Sequence, residues 1–187
     1  MARKHGQTLG EEVCRVMNAK LQPVRGPLQI AFDSADLPLQ TPFAREDLQK
    51  LVADKRSPKT WGAAQMLAML DRGEQLPAQY ACPLTVWQFG HDLTLVGLSG
   101  EVVVDYVTLL EKTLGPNQLW VAGYCNDVFG YLPSARVLAE GGYETRGLYA
   151  GGAGFFDPKA EEVLVRTVRE LARKAGRTLP VEGLGNK

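Results

Sequence analysis

The sequence is poor in the side chains that most often handle metals and protons. It has two histidines, His5 and His91, and histidine is the commonest metal ligand and general base. Its three cysteines, Cys14, Cys82 and Cys125, are odd in number, far apart and without a C-x-x-C pair. That excludes a disulfide scaffold, and they read as reduced, half-buried small hydrophobes. Neither sign of charge is in excess: 21 Lys and Arg balance 21 Asp and Glu. The basic surplus of a dedicated nucleic-acid binder is therefore missing, so no nucleic-acid partner is expected. No apolar run reaches the ~18 residues that would span a bilayer. The basic start, Met1 to Gly6, is not followed by an apolar stretch, so it is no secretory signal. These features leave the compartment unassigned, and there is no internal repeat.

What remains is an ordinary globular chain. With 187 residues, 45% of them hydrophobic and 22% charged, it can bury one real core. Thr8 and Glu11 have the spacing of a capping box, and Val13, Val16, Met17 and Leu21 follow at helical spacing. Residues 27–33 read as a short strand and 37–42 as an extended linker. Residues 44–54 and a segment opened by Ser57-Pro58 read as a peripheral helical hairpin ending at Gly73. Residues 83–89 and 93–98 read as a β-hairpin turning at 90–92. The second strand is apolar enough to be buried on both faces. A helix follows through Val103, Tyr106, Leu110 and Leu114, stopped by Gly115-Pro116, and then a strand over 118–124. The stretch 93–124 thus has the length of a βαβ crossover, with its two strands parallel. Residues 141–154 carry six glycines and form a long loop. Asp157-Pro158 opens a last helix, with Leu164, Val168, Leu171 and Ala175 as its inward stripe. The fold class is α/β: a mixed sheet with helices packed on it, one domain over 1–176 and a loose tail over 177–187.

In parallel sheets functional groups collect beyond the carboxyl ends of the strands. Glu101 lies past the strand 93–98, and Asn126 and Tyr131 lie past the strand 118–124. All three are therefore expected on one edge. Each also has a plain structural reading. Glu101 could complement a helix dipole, Asn126 could form a turn and Tyr131 could simply pack. Tyr143 and Glu144 sit on the glycine-rich segment, which suits a substrate-facing loop. That loop lacks the Gly-Lys-Ser/Thr ending of a phosphate cradle. His91 falls in a turn at the opposite end of its strand from Glu101. Cys125 has no placed histidine to act as its base.

The segments Leu93-Thr-Leu-Val-Gly-Leu-Ser-Gly-Glu-Val-Val-Val-Asp-Tyr106, Trp120-Val-Ala-Gly-Tyr-Cys-Asn-Asp-Val-Phe-Gly-Tyr-Leu-Pro-Ser134 and Glu140-Gly-Gly-Tyr-Glu144 resemble the neutral/alkaline non-lysosomal ceramidase family, its bacterial members in particular. The likeness runs from about residue 6 to 175. It implies a zinc amidohydrolase that splits the N-acyl bond of ceramide or a related N-acyl lipid. The family's zinc is held by two histidines, a glutamate and a tyrosine. The glutamate after glycine maps onto Glu101 and the tyrosine onto Tyr131, and both are hard oxygen donors. Asn126 and Tyr143 then belong to the catalytic surroundings.

The resemblance also implies a gap. The family's two zinc histidines and its Gly-Asp-x-Ser-Pro segment have no counterpart here, and neither His5 nor His91 lies in a matching motif. The expectation is therefore the C-terminal part of a larger α/β catalytic domain, binding zinc poorly by itself. A divided sheet domain exposes an edge and an apolar face. That implies either self-association or a partner carrying the N-terminal half. The rival reading is a non-catalytic α/β interaction module that kept the scaffold.

Overall fold

Two eleven-residue strands set the dimensions of the sheet. In the computed structural model, which describes residues 1–40, 43–150 and 152–180, β1 (Leu28–Pro38) runs antiparallel to β2 (Gln79–Phe89). β2 turns through residues 90–92 into β3 (Leu93–Leu98), again antiparallel. The chain then passes through β4 (Glu101–Val102) and α4 (Asp105–Leu114) before returning as β5 (Leu119–Ala122), parallel to β3. The strand order is β1-β2-β3-β5. The mixed sheet and the βαβ unit are those read from the sequence.

β1 is longer than the strand read at 27–33, because Ala35 and Leu37 continue its alternation into the core. The supposed linker 37–42 therefore begins inside the sheet. Leu39 bridges to Phe156, and residues 41–42 lie outside the described residues. The hairpin of α2 (Arg45–Ala53) and α3 (Thr60–Asp71) sits apart on its own small core of Leu48, Ala63, Met66, Ala153 and Phe155. Ser57 accepts from the Lys59 N–H at 3.2 Å but stands outside the helix, which begins at Thr60.

One face of the sheet is closed by the last helix, α6 (Lys159–Lys174), and by α4. Leu164, Val168, Leu171 and Ala175 are buried against Leu84, Val86, Val96 and Leu98. The Asp157 carboxylate accepts from the Lys159 N–H at 2.9 Å, and Gly176 ends the helix at φ +92°. The chain does not loosen at once beyond it. The Arg177 guanidinium donates to the carbonyls of Leu114, Gly115 and Asn117 and to the Thr94 hydroxyl. Residues 181–187 of the tail lie outside the described residues.

The other face is bare. Leu93 and Leu95 are half-exposed rather than buried, so β3 is covered on one face only. Alternation along a strand commits every second side chain to that face; among the described residues the loop carrying Cys125 and Asn126 covers it at Thr85 and Gly97, and the rows of Trp87 and Phe89 stay open. α1 (Ala2–Met17) buries none of its residues. It also starts before the capping box read at Thr8: that hydroxyl donates back to the Lys4 carbonyl within the helix. Among the described residues no helix is long and apolar enough to cross a membrane.

Candidate functional site

The site is built where the chain leaves β3. Gly100 turns at φ +76°, a conformation that glycine adopts without steric cost. A Cβ there would stand 2.8 Å from the Gly130 carbonyl and 2.8 Å from the Phe129 ring. This close approach lets Glu101 enter β4 with its N–H donating to Gly130 at 2.7 Å. β4 pairs in parallel with β6 (Tyr131–Leu132), and the register sets Glu101 directly beside Tyr131. Glu101 thus lies in a strand four positions before α4 starts, so the helix-dipole reading of this residue does not hold.

A second loop closes on the same point. Tyr124 (φ +57°) and Asn126 (φ +67°) both adopt left-handed backbone on either side of Cys125. Short backbone bonds tie them to the first loop: Tyr124 N–H to Gly100 at 2.9 Å and Gly100 N–H to Asp127 at 2.8 Å. Asn126 is therefore a turn former, as one reading had it, and its amide also donates to Thr85 at 2.9 Å. Cys125 lies over Gly97, where an added Cβ would meet its sulfur at 3.3 Å.

The Glu101 carboxylate gathers phenols. Tyr131 and Tyr124 both hydrogen-bond to it. Partial burial, then the bond to Glu101 and its negative charge, push the Tyr131 phenol up to about 12. Tyr124 is raised too, chiefly by its bond to Glu101. Beyond Tyr131 the aromatic side chains continue. Its ring meets Tyr143 edge-on at 5.4 Å. The Arg146 guanidinium lies 4.6 Å over the Tyr143 ring, donates to its oxygen and faces Tyr149 at 5.5 Å.

A groove of about 410 Å³ opens beside Glu101 and Tyr131, lined also by Arg136, Glu140 and Glu144. Arg136 is held by Asp105 and Glu140, so the acidic side chains dominate the wall. α5 (Ala135–Glu140), capped by Ser134, forms its back and leads into the glycine-rich segment. That segment carries a single turn over Tyr143–Thr145 and buries Leu148; Gly151 lies outside the described residues.

The structure therefore brings Glu101, Tyr131 and Tyr143 together, with Asn126 on the neighbouring loop. Sequence reasoning missed Tyr124 and Arg146. Tyr124 was signalled by its place at the same strand end, whereas Arg146 had no signal at all. His91 is exposed in the β2–β3 turn and His5 lies on α1. Among the described residues no three His, Cys, Asp or Glu side chains converge to hold a metal ion. The residues present offer a carboxylate and a phenol, half of the four protein ligands of a closed zinc site. No family model and no curated protein sequence matches this chain.

Proposed function

We propose that the chain is the C-terminal part of a ceramidase-like zinc amidohydrolase, acting on the N-acyl bond of ceramide or a related N-acyl lipid. The observation that carries this reading is the side-by-side register of Glu101 and Tyr131 at the carboxyl edge of the sheet. Those two residues would supply oxygen donors, and imidazole donors would come from a polypeptide segment outside this sequence. When bound, zinc polarises an amide carbonyl and makes water a competent nucleophile near neutral pH.

The chain's own residues have separable tasks. Glu101 supplies the negative charge that a cation requires. Tyr131 would hold the ion through its phenolic oxygen, and a phenol raised to about 12 would release its proton there only against an attracting charge. Arginine donates hydrogen bonds and accepts none, so the Tyr143 oxygen accepts from Arg146. The Tyr143 proton is thereby free for a developing oxyanion. Asn126 anchors its amide nitrogen on Thr85, leaving the amide oxygen as the end that can meet a substrate.

The count of two histidines favours the interaction-module reading for the chain on its own. Elemental analysis after equilibrium dialysis against zinc held at micromolar concentration separates the two. Partial zinc retention that falls in Glu101→Ala and Tyr131→Phe supports the amidohydrolase reading. Equal retention in all three proteins contradicts it.

A further inference from the structure

We infer that the bare face of the sheet is a self-association surface, closed by the same face of a second copy of this chain. The inference stands independently of the metal reading. Ile30, Trp87, Leu95 and Trp120 lie opposite one another across all four strands. Leu28, Phe89 and Leu93 form the next row. On the other side of the Trp87 row Phe32 stays open, while Thr85 and Gly97 are covered by the loop carrying Cys125 and Asn126, so the bare area ends there. None of these positions is charged. Phe32 is 61% exposed, Trp120 66% and Ile30 54%. Isolated exposed apolar side chains are commonplace, but a contiguous set spanning a whole sheet is not.

Size and charge select the occupant. A large aromatic side chain offers roughly 150–250 Å² when fully covered. At the exposures seen, the five most open side chains supply on the order of 600 Å². Half-exposed Phe89, Leu93 and Leu95 bring the face near the roughly 800 Å² per partner of a stable interface. A single helix is about 10 Å wide, whereas four strands at ~4.8 Å spacing are wider. The narrow stripe of Leu9, Val13 and Val16 on α1 therefore cannot cover the face. A second sheet can, stacking at ~10 Å. The chain's net charge is zero, so two copies do not repel. A two-fold pairing of identical faces also puts Trp87, on an inner strand, near the axis, where tryptophan contributes most to interfaces.

Light scattering of the full chain at micromolar concentration, with iodide quenching of tryptophan fluorescence, tests this. Trp87→Glu and Ile30→Lys are the variants, and circular dichroism checks that both remain folded. The expected result is a wild-type dimer with Trp87 and Trp120 protected, Trp61 on α3 remaining open to quencher. Both variants would be monomers with quenching raised several-fold in Ile30→Lys, which retains all three tryptophans. A wild-type monomer overturns the inference, whether its face is open or covered by its own α1. So does a dimer that survives both substitutions, or a larger open-ended assembly.

Discussion

Glu101 and Tyr131 are far apart in sequence, yet their meeting was legible from it. A parallel crossover sends both strand ends to one edge, and that rule needs no side-chain detail. The ring packing around them was not legible. The contacts of Tyr143 with Tyr131 and Arg146 depend on how a glycine-rich segment folds back, and glycine leaves that path open. The pair has a testable titration. Tyr131 loses its proton at about 12, above the ~10 of an unfolded tyrosine. Between those values the native state holds a proton that the unfolded state has lost, so this residue's contribution to stability is lost as pH rises from ~10 toward 12. Glu101→Gln removes the charge and the strongest acceptor, so the Tyr131 midpoint should fall but stay above the ~10 of a free tyrosine, because burial, the largest cause of the shift, remains; NMR of ring-labelled tyrosine reads it. An unchanged midpoint would show that the two side chains do not interact.

At the level of elements, β3, α4, β5 and α6 followed from periodicity and from their glycine and proline stops, whereas β2 begins at Gln79, four residues before the strand read at 83–89. The misreadings have local causes. β1 runs on past the 27–33 read for it through exposed Ser34 and Asp36, and Asp33 lies at the sheet surface, 3.7 Å from Lys174 of α6. β4 and β6 are two residues each, too short for any alternation to show. They exist because Gly100 allows the backbone to approach Gly130. Gly100→Ala should therefore cost about 2–4 kcal/mol, combining a left-handed backbone penalty with overpacking. It should also break the Glu101–Tyr131 pairing. Urea unfolding reads the first effect and the Tyr131 titration reads the second. A cost under about 0.5 kcal/mol would mean that the loop has room the structure does not show.

For the molecule as a whole, the sequence pointed to an α/β fold but neither to the second small core under the α2–α3 hairpin nor to which sheet face would stay open. An all-apolar strand reads as buried on both sides, and only the packing of α4 and α6 reveals that β3 is not. Nor did the sequence show that Arg177 ties the end of α6 to the ends of α4, β3 and β5. Arg177→Met removes charge-assisted bonds to the buried Leu114 carbonyl and Thr94 hydroxyl and to the more open carbonyls of Gly115 and Asn117, so about 1–3 kcal/mol of stability should be lost, measured by denaturant midpoint. A loss near zero would mean that water satisfies those carbonyls equally well. The proposed donor set is likewise a property of the whole: a carboxylate and a phenol are brought together, and among the described residues no imidazole joins them. Calorimetric titration of zinc into the purified chain tests that claim most directly. The account predicts one weak site, in the micromolar range or weaker, whose heat disappears in Glu101→Ala and shrinks in Tyr131→Phe. A single sub-micromolar site, or binding untouched by either substitution, would contradict it.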